Sequence, residues 1–225
     1  RNIVFTEKDE TGKPAAILEF KIADFSKDEV TGKWIRIDKQ KSFDIKLKKE
    51  TEFTSYDEKE FLNTELIQQE SLPKSYFKVL VSKQKGNEAR VTGIRIYEKK
   101  TDRLIQEIKC DCCFRGFNCI STGDFNFDDL EDFSIFEENY TGPNTSSIYY
   151  LRNPGYEKYS ESGFAGTSLE FDTRAKLVYE HNQCCGGRSL MKAVYKIVEN
   201  KMVLIEKKCL EYDENLENFT EKECD

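Results

Sequence analysis

The alternation of apolar and charged residues is the feature that most limits what this chain can form. Stretches such as KWIRID at residues 33–38 and SFDIKLKK at residues 42–49 place apolar and polar side chains in turn. A β-strand turns successive side chains to opposite faces, so a period of two is typical of a strand with one face in water. We therefore predict a mainly β protein built of antiparallel meander, sandwich-like or propeller-like sheets.

One stretch departs from this period. YDEKEFLNTELIQQES at residues 56–71 spaces its apolar side chains as a helix would, and a proline follows two residues later. The apolar stripe consists of Phe61, Leu62, Leu66 and Ile67. We expect one short helix here and a boundary after it. The boundary would divide an N-terminal β-rich segment at residues 1–72 from a cysteine-rich β domain with an acidic loop at residues 73–225; the alternative is one continuous domain.

The loop DFNFDDLED crowds oxygen-bearing side chains into nine residues. Calcium takes six to eight oxygen ligands, and alternate residues of a tight loop turn their side chains toward one centre. The seventh position of such a loop offers its backbone carbonyl, and the ninth closes the coordination shell. The spacing predicts a calcium site with these ligands: Asp124, Asn126, Asp128, the carbonyl of Leu130, and Asp132.

Two departures from the EF-hand pattern indicate the kind of loop. The sixth position, where glycine serves a left-handed backbone, is Asp129, which tolerates that conformation less freely. The twelfth position, normally a glutamate that opens a helix, is Ile135, and the aromatic stretch FSIFEENY around it favours a strand. We therefore expect a weakened calcium loop that joins two strands.

Eight cysteines all lie in the second half of the chain: Cys110, Cys112, Cys113, Cys119, Cys184, Cys185, Cys209 and Cys224. Their even number favours disulfides in an oxidising compartment, whereas the same cluster in the cytosol would suggest zinc. The segment CDCCFRGFNC fits neither usual zinc spacing, and adjacent cysteines on a strand point to opposite faces. We therefore favour disulfides and predict one pair, Cys209 with Cys224, which closes the polar C-terminal tail.

Composition narrows the partners and the compartment. The net charge of -7 and the pI near 5.1, without a basic patch, argue against nucleic acid. No apolar run is long enough to span a membrane. A weak calcium loop fills outside the cytoplasm, and the cysteines and a start without Met agree with export. We expect a periplasmic, cell-surface or secreted bacterial protein, and whether a lipid anchor preceded Arg1 stays open.

Familiar catalytic signatures are absent from the sequence. The single histidine, His181, falls in EHNQCCGGRS, which we interpret as a Gly-rich loop, and no Cys-His signature surrounds the neighbouring cysteines. We find no nucleophile elbow, phosphate-binding glycine loop or dinucleotide fingerprint. Paired carboxylates for glycoside chemistry would be recognised only by their separation in space. The sequence therefore favours a protein that is not an enzyme.

Four stretches together carry a family resemblance: IRIYEKKTDRLIQEI, DFNFDDLEDF, IYYLRNPGYEKY and VYKIVENKMVLIEKK. In this order they resemble bacterial exported calcium-loop β proteins that act as immunity proteins against secretion-system peptidoglycan hydrolases, which are similar to periplasmic lysozyme inhibitors. The resemblance covers about residues 76–212. The chain departs from it at Asp129, which replaces the glycine of the family's loop, and in its set of cysteines.

The resemblance implies an inhibitor that inserts a loop into the cleft of a lysozyme-like hydrolase or toxin, with calcium stiffening the loop region. The candidate loop is SESGFAGTS at residues 160–168, in which Ser162, Gly163 and Phe164 would contact the partner. A second candidate, NYTGPNTSS at residues 139–147, is led by Tyr140. The alternative for both is an ordinary connecting loop.

A second function stays open at this point. The chain could be a calcium-dependent carbohydrate-binding or cell-surface module. The tyrosines of IYYLRNPGYEKY would then serve as sugar platforms rather than as core and rim residues.

Overall fold

The structure, a computed structural model, describes residues 2–9, 11–21, 29–48, 60–155 and 157–224. The chain divides into two compact units, Arg1–Asp57 and Glu58–Asp225. The described residues form four antiparallel sheets, which confirms the prediction of a mainly β protein. No helix among them is long and apolar enough to cross a membrane.

The first unit contains a four-stranded meander. Its strands, in both chain and sheet order, are β1 (Asn2–Lys8), β2 (Pro14–Lys21), β3 (Glu29–Arg36) and β4 (Ser42–Lys48). The turn before β2 is closed by Asp9, whose Oδ1 accepts hydrogen bonds from the backbone N–H of Thr11 at 2.8 Å and of Lys13 at 3.0 Å. Phe20 is buried against Gly32 of the next strand, where a side chain would have no room.

The second unit contains the other three sheets, and each keeps its neighbouring strands close in sequence. One sheet has the order β5 (Phe61–Ser71), β6 (Ser75–Lys83), β7 (Arg90–Glu98), β8 (Leu104–Cys113). The next has the order β12 (Tyr159–Glu161), β11 (Thr145–Arg152), β10 (Asp132–Asn139), β9 (Ile120–Gly123). The last has the order β13 (Glu170–Asp172), β14 (Leu177–Cys184), β15 (Ser189–Val198), β16 (Lys201–Asp213), β17 (Asn218–Lys222).

The core of the second unit lies on β6, β7 and β10. Alternate residues of β6 and β7 are fully buried, and the Phe77 ring of β6 packs on the Phe133 ring of β10 with centroids 4.9 Å apart. Two one-turn 3₁₀ helices, Gly116–Asn118 and Cys185–Gly187, follow β8 and β14. Strand β10 thus carries both core residues and Asp132, the last residue of the acidic loop.

The predicted helix is wrong where the structure describes it. Residues 61–71 form β5, and its pairing with β6 sets Leu66 opposite Val79. Leu62 and Ile67 of the expected stripe are exposed, and register shifts near both ends of β5 interrupt the alternation of its faces. Residues 56–59 lie outside the described residues. Since β5 belongs to the second unit, the boundary falls between Asp57 and Glu58 rather than after residue 72.

The predicted disulfide is confirmed. The sulfur atoms of Cys209 and Cys224 lie at bonding distance, 2.09 Å apart. The bond joins β16 to the residues after β17, so the C-terminal hairpin is closed covalently. The other six cysteines are unpaired in this structure.

Candidate functional site

The acidic loop joins β9 to β10, as the sequence predicted for a loop between strands. Asp132 pairs with Gly123 across the two strands, so the strand pair closes directly beneath the loop. Phe127 and Asp129 have left-handed backbones, with φ of 65° and 66°. The turn therefore does require the conformation that glycine would serve, and Asp129 adopts it.

The carboxylates of the loop accept hydrogen bonds from the loop's own backbone. Asp124 accepts hydrogen bonds from the backbone N–H of Asp128 at 3.0 Å and of Asp129 at 2.9 Å. Asp128 in turn accepts one from the N–H of Leu130 at 2.9 Å. A carboxylate oxygen can accept more than one hydrogen bond, so these contacts leave acceptor capacity on both groups. The loop presents two partly solvated carboxylates held by its own backbone.

Asn126 is the predicted ligand with the most unusual surroundings. Its side chain is 9% exposed, and its amide nitrogen donates to Asp128 Oδ2 and to Asn200 Oδ1, each at 2.9 Å. Its carbonyl oxygen, Oδ1, is buried and has no hydrogen-bond partner. A buried polar atom left without a partner costs about 1–3 kcal/mol. The loop therefore contains an oxygen that a bound cation would satisfy.

Asp132 ties the loop to the sheet. It is fully buried; its Oδ2 accepts from the N–H of Phe125 at 2.9 Å and its Oδ1 from the N–H of Arg152 at 2.8 Å. Burial raises the pKa of Asp132 to about 6 against the opposing effect of these two hydrogen bonds, and the charges of Asp128 and Asp124 raise the pKa further. The carboxyl thus holds a proton more readily than an exposed aspartate.

The side chains of the acidic loop do not form a complete metal coordination shell in this structure. Among residues that the structure describes, no group of three or more His, Cys, Asp or Glu side chains is arranged to hold a metal ion. Asp132 uses both oxygens on backbone N–H groups, and Leu130 contributes its N–H to the loop's own hydrogen bonds. The calcium assignment therefore stays a prediction.

Asn200 and Arg152 are the site residues that sequence reasoning missed. Asn200 lies in the turn between β15 and β16, and Arg152 ends β11. Each is far from the acidic loop in sequence, and both reach it only through the packing of strands. The ENK turn at residues 199–201 is a local signal for a hairpin, but nothing in it indicates the contact with Asn126.

Aromatic rings connect the acidic loop to the predicted partner loop. The ring of Phe125 packs edge-on against Tyr149 with centroids 5.0 Å apart, and Tyr149 lies 6.3 Å from Phe164. Phe171 contacts all three rings. Phe164 is only 7% exposed, so its ring anchors the loop in the core, although the residue also lines the cavity described next. Its contact with a partner stays a prediction.

The two candidate partner loops line one cavity. Tyr140, half exposed, comes from one loop, and Ser162 and Gly163 come from the other, around a cavity of about 400 Å³. Ser146 also lines the cavity; its side chain is 8% exposed, and its buried hydroxyl has no hydrogen-bond partner. We call this cavity the Tyr140 groove. The structure thus brings together segments that the sequence offered as separate alternatives.

The tyrosines proposed as sugar platforms are core residues where the structure describes them. Tyr149, Tyr150 and Tyr159 are each less than a tenth exposed, and Tyr150 stacks on Phe133 with centroids 4.9 Å apart. Burial raises the pKa of the Tyr149 hydroxyl to about 12. Tyr156 lies outside the described residues. Buried rings of this kind cannot stack on a sugar from solvent.

His181 and the clustered cysteines are mostly parts of strands. His181 lies on β14, not in the Gly-rich loop that the sequence indicated, because pairing with β15 extends as far as Cys184. Cys110, Cys112 and Cys113 lie on β8, and Cys119 precedes β9. Burial raises the pKa of the Cys119 thiol.

Comparisons with known proteins found no matching family model and no significantly similar curated protein or solved structure.

Proposed function

We propose that the chain binds Ca²⁺ through the loop from Asp124 to Asp132. The observation that carries this proposal is the buried, unpartnered Oδ1 of Asn126, a residue that lies between Asp124 and Asp128 at calcium-loop spacing in the sequence. An ion would take oxygens from Asp124, Asn126 and Asp128, with the Leu130 carbonyl and Asp132 completing the predicted set. It would also offset the repulsion among the three carboxylates, which contributes to the raised pKa of Asp132.

In this proposal the ion stabilises a binding surface rather than a catalytic centre. Phe125 belongs to the loop, and its ring reaches Phe164 through Tyr149, so ordering the loop would also order the wall of the Tyr140 groove. A surface that is rigid before binding loses less conformational entropy when the partner binds. We infer that the protein is a non-enzymatic binding protein whose Tyr140 groove contacts another protein.

The family resemblance supplies the partner class to test, a lysozyme-like peptidoglycan hydrolase. Because Phe164 is buried, the contact would be made by Tyr140, Ser162 and Gly163. Phe164 would hold the loop of Ser162 and Gly163 in place. Blocking would then depend on the rim of the groove covering the enzyme's cleft. Export from the cytoplasm belongs to this proposal, since both calcium and such a hydrolase are found outside it.

Calcium binding is tested by titration calorimetry on the wild type, Asp128→Asn and Glu131→Gln. Glu131 is the matched control, because it is exposed in the same loop at a position that is not a predicted ligand. We expect binding at least tenfold weaker in Asp128→Asn and nearly unchanged in Glu131→Gln. Equal affinity of all three proteins, or no heat with the wild type, would contradict the site.

Inhibition is tested by the clearing of a peptidoglycan suspension with a panel of lysozyme-type enzymes, in calcium and in EDTA. We expect one enzyme to be inhibited in calcium, less so in EDTA, and less so by Tyr140→Ala. Phe117→Ala is the control, since Phe117 is exposed to a similar extent and does not line the groove. Calcium binding without inhibition across the panel would leave the metal site standing and remove the hydrolase as partner.

A further inference from the structure

The chain contains two Cys-Cys pairs, and they lie in different kinds of backbone. Cys112 and Cys113 both lie on β8, where neighbouring side chains point to opposite faces. Cys112 is accordingly fully buried, and Cys113 is half-buried beside Glu138. Cys184 is instead the last residue of β14, and Cys185 begins a 3₁₀ turn. The second pair is therefore free of the alternation that separates the first.

The backbone after Cys184 folds the two side chains together. Cys184 is extended, with φ of −130°, whereas Cys185, Gly186 and Gly187 all have left-handed φ values, of 60°, 65° and 88°. A left-handed cysteine is uncommon, and the two glycines that follow adopt this conformation without a steric cost. The turn is closed by the N–H of Arg188, which donates to the Cys185 carbonyl at 3.3 Å.

This turn places two thiols side by side in solvent. The Sγ atoms of Cys184 and Cys185 lie 2.7 Å apart, in direct contact although longer than a bonded disulfide at about 2.05 Å. Both residues are exposed, so a dissolved reagent can reach either sulfur. The sulfur of Cys184 raises the pKa of the Cys185 thiol, as expected of two thiols that share one proton-binding environment.

We propose that Cys184 and Cys185 are a reversible modification site, a dithiol that closes to a disulfide between adjacent residues by exchange with a low-molecular-weight disulfide. One cysteine thiolate attacks the reagent, breaks its S–S bond and releases one thiol. The second cysteine attacks the mixed disulfide, forms the Cys184–Cys185 bond and releases the second thiol. The pair loses two electrons and two protons, and the reagent is reduced to two thiols.

The inference stands apart from the proposed calcium and partner sites, because it uses neither the acidic loop nor the Tyr140 groove. It also assigns a role to glycines that the β14–β15 connection would not otherwise require. A hairpin loop between two strands does not need three consecutive left-handed residues, since shorter loops can reverse the chain. The left-handed run does bring the two sulfur atoms together.

Peptide mapping tests the pair directly, because trypsin would release Leu177–Arg188 with both cysteines and no others. The folded, reduced wild type is treated with oxidised glutathione, alkylated, and digested without reduction. We expect this peptide without alkyl groups or glutathione and two hydrogens lighter than its reduced form. Two alkyl groups, a stable glutathione adduct, or a cross-link to another cysteine peptide would each overturn the proposal.

Cys185→Ser serves as the matched variant. Without the second sulfur, the exchange should stop after its first step, so the same peptide should retain one glutathione. A variant that releases glutathione as the wild type does would show that a sulfur other than that of Cys185 completes the exchange and would overturn the proposal. The wild-type map remains decisive if this variant is poorly folded. Phenylarsine oxide bridges two neighbouring thiols, and Cys110 with Cys112 and the reduced Cys209 with Cys224 also lie close together. The reduced wild type should therefore bind one more molecule of it than Cys185→Ser.

Discussion

The acidic loop and a charged cluster around Glu65 use the same kind of side chain in opposite ways. Glu65 on β5 accepts hydrogen bonds from Lys78 at 2.8 Å, Arg95 at 2.6 Å and Tyr97 at 2.9 Å. The hydrogen bond from Lys78 is the largest of the effects that lower the pKa of Glu65 to about 2, and that from Arg95 follows. The carboxylate is balanced by cations from the two next strands.

Asp132 forms no ion pair with a described residue, and Lys176, which reaches the same loop, donates to the Phe127 carbonyl at 3.3 Å rather than to a carboxylate. Asp132 is buried on two backbone N–H groups beside two further carboxylates, and its pKa is raised to about 6. An acidic residue is therefore a better candidate for an ion ligand where the fold does not itself supply the counter-charge. Around Glu65 the neighbouring strands supply it, whereas in the acidic loop a cation from solution would have the most to stabilise.

The largest expected effect comes from removing the buried carboxyl of the acidic loop. Asp132→Ala leaves the N–H groups of Phe125 and Arg152 without partners, and we expect the free energy of unfolding to fall by about 3 kcal/mol. Urea denaturation in EDTA measures this loss. Glu131→Ala, which changes the exposed neighbour, should have little effect, and an equal loss in both variants would contradict the role of Asp132.

The next effect is the pH dependence, which should have opposite signs in the two regions. Because the pKa of Asp132 is raised in the folded state, its contribution to stability is present below about pH 4 and lost as the pH rises toward 6. In EDTA the wild type should therefore lose about 2–3 kcal/mol relative to Asp132→Asn over this range. Calcium should reduce that loss, since the ion favours the charged carboxylate.

Glu65 should make stability depend on pH in the opposite direction. Its pKa is lowered in the folded state, so its contribution is present above about pH 4.5 and lost as the pH falls toward 2. Relative to Glu65→Gln, the wild type should lose stability only on acidification. Unfolding curves of both pairs of proteins between pH 2 and 7 measure how stability changes with pH in each region, and changes of the same sign would contradict the opposite environments of Asp132 and Glu65.

A smaller effect concerns calcium itself. An ion that binds only the folded state at about a hundred times its dissociation constant stabilises it by about 2.7 kcal/mol, and a weakened loop should give about 2 kcal/mol or less at millimolar calcium. This stabilisation should raise the melting temperature of the wild type and of Glu65→Gln in calcium, but not that of Asp124→Ala or Asp128→Ala. An equal melting temperature of the wild type in calcium and in EDTA would contradict the calcium proposal.

The smallest expected loss of stability comes from the charged cluster around Glu65. Glu65→Gln keeps the shape of the side chain and removes its charge, while Lys78 and Arg95 stay partly in water. Water that still reaches these groups screens the ion pairs, so we expect a loss of about 1 kcal/mol at pH 7. Lys78→Gln should cost a similar amount in urea denaturation, because it removes the same pair from the other side.

Local patterns predicted the parts of this molecule that depend on neighbours in sequence. The alternation of side chains gave the β class, and the spacing from Asp124 to Asp132 placed a tight loop between strands. The pair Cys209 with Cys224 followed from the need to close a polar tail. In each case the deciding residues lie within about fifteen positions of one another, so no knowledge of strand packing was required.

The failures share a dependence on contacts between distant strands. Residues 61–71 fit a helical stripe as well as a strand, and only the pairing with β6 decides between them. The loop sequence around Phe164 gives no sign that its ring is buried, because the rings that enclose it, Tyr149 and Phe171, come from other strands. Asn200 reaches Asn126 across 74 positions of the chain, and no local signal encodes such a contact.

The closed C-terminal hairpin changes what a protease can release. The bond between Cys209 and Cys224 encloses the turn before β17, in which Leu216 is 65% exposed. A single cut in this turn would leave β17 attached through sulfur, so the fragment would separate only under reducing conditions. Nicked and intact chains would therefore keep the same mass in non-reducing electrophoresis, apart from one added water, and the hairpin would survive a cut that would otherwise release β17.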